Sequence, residues 1–405
     1  MLYWALISGW RVWAVDTACV LGRVEGYQPA ALRAFLEGGW RELSGRGPEF
    51  RAGDRVLLKP NLLAGRPPER AVNTHPEVVG AVASFLADQG CRLFLGDSPS
   101  LESTAHAVAA AGYAPVIARY GITPVSFHRG REVPARNRRF FSRLYLFEDF
   151  AGFDHVVNLP KLKTHTQMGL TLGVKNLFGF VPGKRKAAYH LSAGGDEAVF
   201  ARLMLEIADT VNPTLTVLDG VLAMEGDGPG QGTPRSVGLM MMSRNCVALD
   251  AVVGRVTGVP LARHPIVREA LAAGLSGADW RQTVRFGPSV EELAVTGFRL
   301  PERGDAQWRL PRVAVRVFTS TWTSRPWIRP DACRYCRQCM AICPVQAIGD
   351  QGGRQLRVDP GRCVRCWCCH EVCPHDAIGI REGAGLRAMT RFGRWWRKLQ
   401  DKDTP

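Results

Sequence analysis

Nine of the twelve cysteines in this 405-residue chain fall between residues 333 and 373, and their spacing constrains the fold more than any other feature. Cys333, Cys336, Cys339 and Cys343, followed by Pro344, form a C-x2-C-x2-C-x3-C-P run, and Cys363, Cys366, Cys369, Cys373 and Pro374 repeat it thirty residues later. Closely spaced cysteines let one loop wrap an iron–sulfur cube with three thiolates, while the fourth cysteine, just before proline, crosses to the other cluster. The spacing therefore predicts two [4Fe–4S] clusters. Cys333, Cys336, Cys339 and Cys373 are expected to hold the first; Cys363, Cys366, Cys369 and Cys343 are expected to hold the second. The repeat runs past the ligands, since Ala347-Ile348-Gly349 recurs as Ala377-Ile378-Gly379, the pattern of two copies of one unit about a pseudo-twofold axis.

Over roughly residues 325–382 the sequence resembles the bacterial two-cluster ferredoxins. Zinc knuckles are the alternative, but zinc sites use two CxxC pairs and give no reason for the C-x3-C-P endings. Cys368 lies beside a ligand and has no assigned role, and Cys19, Cys91 and Cys246 stand alone in apolar surroundings, where a cysteine usually acts as a small hydrophobe. Metal-ligand spacing rather than loop-stapling spacing points to the cytosol. No stretch reaches the roughly 20 apolar residues that span a bilayer, and the apolar start at 1–10 is too short and too soon interrupted by Arg11 for a signal peptide to be expected.

Between roughly residues 17 and 300, short apolar runs alternate with amphipathic stretches, which predicts an α/β layer fold. Residues 55–59 read as a buried strand. Thr74-His75-Pro76-Glu77 then supplies a capping box, Val78, Val79, Val82, Phe85 and Leu86 recur at helical spacing until Gly90, and residues 92–95 open a second strand. Further strands are expected at 155–159 and 215–218, and helices near 197–210 and 247–256. The fold class is thus a layered, mostly parallel-sheet large domain followed by a small α+β ferredoxin-type domain. The expected boundaries are 1–16 extension, 17–300 α/β domain, 301–324 linker, 325–382 cluster module and 383–405 basic tail.

Polar residues gather just after the predicted strands, at Lys59-Pro60-Asn61, Gly96-Asp97-Ser98, residues 158–165 and Asp219-Gly220, and that carboxyl edge is where open parallel sheets bind ligands. The densest cluster runs from Asn158 to His165 and continues through Gly173–Gly179 to Gly183-Lys184-Arg185-Lys186, with cations unmatched by acids. Such a stretch can grip phosphates or carboxylates. A solvated basic loop would not need the interleaved Leu, Val and Phe. Lys59, Asn61, Asp97, Ser98, Lys175 and Asn176 are the candidate substrate-binding residues. Lys161, Lys163 and His165 are the candidate catalytic ones, because lysines two apart on an extended segment face one side and a lysine beside another cation loses its proton more easily. His75 and His190 also sit beside loops and can serve in acid–base work, although His75 can equally belong to the first turn of its helix.

Taken in order, residues 56–63, 73–79, 96–99, 157–165, 173–183 and 224–235 resemble the DUF362 family, a family of unknown function whose members often carry a C-terminal ferredoxin module. The resemblance spans about residues 17–275 and implies no assigned reaction. Residues 1–16 precede it, as a local extension or a misplaced start. No G-x-G-x-x-G fingerprint and no G-x4-G-K-[ST] loop is present. Glu225-Gly226-Asp227-Gly228-Pro229-Gly230 reads as a turn, the alternative being carboxylates that supply a proton or a metal ligand.

Lysine and arginine outnumber aspartate and glutamate 52 to 37, a field that draws anionic substrates, acidic proteins or anionic surfaces. After the cluster module, Arg387, Arg391, Arg394 and Lys398 follow helical spacing opposite Met389, Phe392, Trp395, Trp396 and Leu399. This amphipathic tail suits either a membrane surface or the protein's own domains. Nucleic acid is not expected, for want of a recognised nucleic-acid fold. The expectation is a cytoplasmic iron–sulfur redox protein, open to peripheral contact with the inner face of a membrane. It would act as a reductase of an anionic small molecule with a redox partner protein. The alternatives are a non-enzymatic electron-transfer or assembly subunit, and a ligand sensor whose clusters only stabilise the fold.

Overall fold

The computed structural model describes residues 16–99, 104–165, 168–182, 185–186, 189, 196–230, 232–301, 325–343, 345–363, 369, 373, 375 and 377–381. The expectations for the first fifteen residues, Lys184, His190, Cys366, Cys368, the segment 302–324 and the tail lie outside them. The chain divides into two compact units. One comprises Met1–Asn137, Tyr145–Gly183 and Glu197–Glu302; the other comprises Arg138–Leu144, Lys184–Asp196 and Arg303–Pro405.

The large unit is built on a ten-stranded sheet, numbered here in chain order: β1 (Cys19–Arg23), β2 (Arg55–Pro60), β3 (Arg92–Asp97), β4 (Thr123–Ser126), β5 (His155–Leu159), β6 (Lys161–His165), β7 (Gly169–Thr171), β8 (Leu215–Glu225), β9 (Thr233–Ser243) and β10 (Arg285–Phe286). Its order is β10-β1-β9-β8-β5-β2-β3-β4, with β6 beside β8 and β7 beside β6. From β8 to β4 every neighbouring pair is parallel, whereas β9 runs antiparallel to both β8 and β1. The helices used below are α1 (Pro29–Leu43), α2 (Pro76–Asp88), α3 (Ala114–Tyr120), α4 (Gly173–Asn176) and α5 (Cys246–Val256).

Period-two alternation assigns the two faces of the sheet. Val20, Val56, Leu58, Met240 and Met242 join Leu32 and Leu36 of α1, Val78, Val79, Val82 and Phe85 of α2, and Val116 of α3 in one apolar cluster. Their strand neighbours Cys19, Leu21, Leu239 and Met241 pack with Leu249, Val252 and Val253 of α5 in another. A sheet covered on both faces leaves its strand ends as the natural place for polar groups.

The strand–helix–strand unit expected at 55–95 is present as β2, α2 and β3, with β2 and β3 parallel. Its cap differs from expectation. His75 is the N-cap residue and its Nδ1 accepts from Glu77 N at 3.2 Å, with Pro76 in the first helical position. Thr74 is diverted instead: its hydroxyl donates to Leu159 O at 2.6 Å and accepts from Asn61 N at 2.9 Å, stitching the ends of β5 and β2 together. Residues 161–165, read as an extended segment just after the strand expected at 155–159, form strand β6, and residues 226–230 connect the long β8–β9 hairpin. Glu225 accepts from Arg235 at 2.8 Å and from Arg299 at 2.7 Å, so its carboxylate is engaged by two guanidiniums.

In the small unit, Arg325–Ile328 pairs antiparallel with Ile378–Arg381, and Ile348–Asp350 with Leu356–Val358. The sequence repeat reappears as repeated hydrogen bonds. Arg329 N donates to Ala377 O and Asp359 N to Ala347 O, both at 2.7 Å; Cys333 N donates to Arg329 O at 3.0 Å and Cys363 N to Asp359 O at 2.9 Å. Each half therefore borrows its first strand contact from the other.

Candidate functional site

Three lysines reach the carboxyl edge of the sheet with side chains that are no more than 1% exposed: Lys59 at the end of β2, and Lys161 and Lys163 on β6. Burying an ammonium is costly unless it is paired and hydrogen-bonded. Lys59 Nζ lies 2.9 Å from Asp97 Oδ2 and donates to Pro60 O at 2.7 Å. The Asp97 carboxylate also accepts from Leu62 N at 2.9 Å and from Ser98 N at 2.7 Å, so β2 and β3 are locked through one buried pair. A Cβ at Gly179 would collide with both partners, which explains why glycine stands there.

Lys161 is paired through strand register, since Asp219 of β8 sits opposite it. Its Nζ lies 2.7 Å from Asp219 Oδ2 and donates to Tyr27 OH at 2.9 Å; Tyr27 OH in turn donates to Asp219 Oδ1 at 3.0 Å. His75 N completes the carboxylate at 2.8 Å, and the His75 ring stacks on Tyr27 with centroids 3.5 Å apart. Burial pulls Lys59 and Lys161 below the ordinary lysine range, opposed by their aspartates. Burial, reinforced by the charge on Lys161, lowers His75 to about 4, and its Nδ1 is occupied as the helix cap, so at neutral pH the ring is uncharged with its proton on Nε2.

Lys163 is treated differently. Its Nζ donates to Val72 O at 2.7 Å, and among the described residues no carboxylate pairs with it. Burial drives it well below the ordinary lysine range, and the charges of Lys175 and Lys161 push it further. Lys175, half-buried, has its Nζ 5.0 Å from the ring centre of Phe178 and 5.5 Å from that of Phe200.

A directed chain of amides crosses the same edge. Asn158 Nδ2 donates to Gly173 O at 2.9 Å. Asn176 Nδ2 donates to Asn158 Oδ1 at 2.8 Å and to Lys59 O at 3.1 Å, and Asn61 Nδ2 donates to Asn176 Oδ1 at 3.1 Å. Each link fixes the orientation of the next, and the chain ends at Asn61 Oδ1, which is buried and accepts nothing from the described protein. Nearby, Asp250 accepts from Gly173 N at 2.7 Å and Val174 N at 3.0 Å, while burial raises its carboxyl to about 8.

Of the residues expected from sequence, Lys59, Asn61, Asp97, Ser98 and Asn176 join one hydrogen-bonded network, and Lys161 and Lys163 share a face of β6. His165, at the end of that strand, is half-buried and its Nδ1 accepts from Met168 N at 3.2 Å, holding the turn into β7. Asp219 and Tyr27 were missed as site residues. Asp219-Gly220 stood among the polar pairs after strands, and that was its signal; nothing local marks Tyr27, which arrives from the far end of the unit.

In the small unit, Cys333, Cys336, Cys339 and Cys373 line one cavity together with Arg334, Arg337, His375 and the apolar side chains of Ile328 and Leu356. Burial raises the Cys339 thiol to about 11, and the thiols of Cys333, Cys336 and Cys373 add to the effect because they crowd around it. Among the described residues no set of three or more His, Cys, Asp or Glu is disposed to hold a single metal ion. Four thiols spread around a cavity suit a cube that takes one cysteine per iron. Ala347 N donates to Cys343 Sγ at 3.1 Å and Ala377 N to Cys373 Sγ at 3.2 Å, so the two prolyl-side cysteines have equivalent backbone donors. The donor set fits an iron–sulfur group.

These features define an α/β protein joined to an iron–sulfur module. Residues 325–374 match the 4Fe-4S dicluster domain and residues 56–255 match the domain of unknown function DUF362. The chain belongs to the DUF362 family. It is 39% identical over 297 residues, 73% of its own length and 92% of the relative's, to the Thylakoid-associated protein sll1697 of Synechocystis sp.. The lactate racemase apoprotein from Thermoanaerobacterium thermosaccharolyticum overlaps 61% of this chain and 58% of its own, less than two thirds, at 10% identity. Its TM-score is 0.37, a likeness on which no conclusion rests. No helix among the described residues is long and apolar enough to cross a membrane.

Proposed function

We propose that the protein is a reductase that passes electrons from two [4Fe–4S] clusters to an anionic small molecule bound at the carboxyl edge of its sheet. Cys333, Cys336, Cys339 and Cys373 would hold one cluster, and Cys363, Cys366, Cys369 and Cys343 the other. The meeting of Cys373 with the first three cysteines supports the crossed assignment, as does the matching of the Ala347 and Ala377 donors. When bound, such clusters take up and release single electrons at potentials set by charge and hydrogen bonds to sulfur. The observation that carries the substrate site is the concentration of buried lysines, one of them without a carboxylate among the described residues, at the strand ends. In this reading Lys59 and Lys161, held by Asp97 and Asp219, fix the edge. Lys163, Lys175, Asn61 and Asn176 meet the ligand, Ser98 borders it, and His165 stands by for proton transfer.

The test is anaerobic purification, iron and sulfide analysis, and reoxidation of the dithionite-reduced protein by a panel of small carboxylates and phosphates. Iron near eight per chain and acceleration by at least one anion that is lost in Lys175→Ala are expected. Iron without any anion-dependent reoxidation removes the reductase reading. A second reading, a non-enzymatic carrier or assembly subunit that docks a redox protein or a membrane complex from the cytoplasmic side, is favoured by the internal pairing of Lys59 and Lys161 and by the relative's thylakoid association. It predicts reoxidation only by a protein partner.

A further inference from the structure

Of the three buried lysines among the described residues, two meet aspartates and the third meets, among those residues, a backbone carbonyl and no carboxylate. The difference is chemical rather than a matter of degree. Among the described residues, an ammonium at Lys163 would have one acceptor and no carboxylate in contact; the charges of Lys175, Lys161 and Lys59 oppose it, and Asp97, which favours it, is already paired with Lys59. The uncharged amine needs no counterion: it donates one N–H to Val72 O and keeps a lone pair. Desolvation and adjacent cations are the two conditions that turn a lysine into a nucleophile toward carbonyl carbon.

We propose that Lys163 is an amine nucleophile that captures a small anionic aldehyde or 2-oxo acid as an imine. The inference rests on the reading of the carboxyl edge as a substrate site and names the substrate class. The Nζ lone pair adds to the carbonyl carbon, the C=O π pair moves to oxygen, and one Nζ proton ends on that oxygen. Loss of water from the carbinolamine then leaves the imine with no net oxidation. The transient hydroxyl needs an acceptor, and Asn61 Oδ1 is an oriented, unused one. Asn61 is tied to Thr74 by two hydrogen bonds, and Lys163 to Val72, so both groups border the same three-residue segment. The positive field that lowers the proton affinity of Lys163 also favours a carboxylate on the incoming molecule.

The experiment uses the full-length, cluster-loaded protein, glyoxylate and pyruvate as probes, and cyanoborohydride to trap the imine, read by intact mass and peptide mapping. One adduct per chain, on the peptide holding Lys163, is expected; Lys163→Arg abolishes it, while far-UV circular dichroism and iron content report whether that variant folds. A second readout needs no variant. Between about pH 6 and pH 8 the trapping rate at Lys163 rises less steeply than that of an ordinary exposed lysine, which gains about tenfold per unit. Adducts scattered over exposed lysines, no adduct with either probe, or a tenfold-per-unit rise at Lys163 each overturn the proposal. The reductase reading is judged separately: reoxidation by an anion that persists in Lys163→Arg upholds it and sinks the imine.

Discussion

The two units bury groups that water ordinarily keeps charged, and they handle them in opposite ways. The large unit brings its own counterions. Asp97 and Asp219 arrive on strands beside Lys59 and Lys161, within an apolar core that continues on both faces of the sheet. Among the described residues of the small unit the apolar cluster is short, and three of its buried side chains, Cys339, Cys343 and Cys369, are cysteines. A module of that size rarely holds itself together by apolar burial alone. The large unit is therefore built to stand on its own chemistry, and the small one to stand on what its thiols bind.

The sharpest way to break that contrast is to remove the iron. Anaerobic chelation is expected to abolish hydrogen-exchange protection across 325–381 while the strands and helices of the large unit keep theirs; protection that survives in the apo module would erase the distinction. Next in size is Asp219→Ala, which strands Lys161 in a buried site and is expected to lower the stability of the large unit by about 3–5 kcal/mol in denaturant titration. Adding Lys161→Met to it should restore much of the loss.

Lys163→Met tests the exception within the large unit. Because Lys163 has no carboxylate partner among the described residues, its replacement is expected to raise stability by about 1–3 kcal/mol at pH 7. The pH dependence follows from the direction of its shift. Below the ordinary lysine value of about 10.4 the unfolded chain holds a proton that folded Lys163 lacks, so wild-type stability rises with pH, by up to about 1.4 kcal/mol per unit. The advantage of Lys163→Met should thus shrink toward pH 10, and an advantage that is flat with pH would mean Lys163 is charged when folded. Smallest is His75→Ala, which removes a helix cap and a ring from Tyr27 and should cost about 1 kcal/mol.

The cysteine spacing specified the small unit so fully that the repeat could be read down to Ala347 and Ala377, because ligands to one cluster must be local in sequence except where a single residue crosses over. Strand and helix positions in the large unit were legible for the same reason: periodicity is a local property. The cap at α2 was misread because Thr74 and His75 both suit the role, and only the nearness of Leu159 and Asn61 draws the threonine away. The extended character of residues 161–165 was legible, but the burial of Lys161 and Lys163 was not, because Asp219 and Val72 reach them from distant parts of the chain.

By itself, then, the amino-acid order determined the cluster module, the alternation of strands and helices, and the fact that cations gather after the strands. Which lysine has a counterion was decided only in three dimensions. The energy of a buried charge depends on partners brought from distant parts of the chain: Asp219 and Tyr27 to Lys161, Asp97 to Lys59, and to Lys163, among the described residues, a backbone carbonyl in place of a carboxylate.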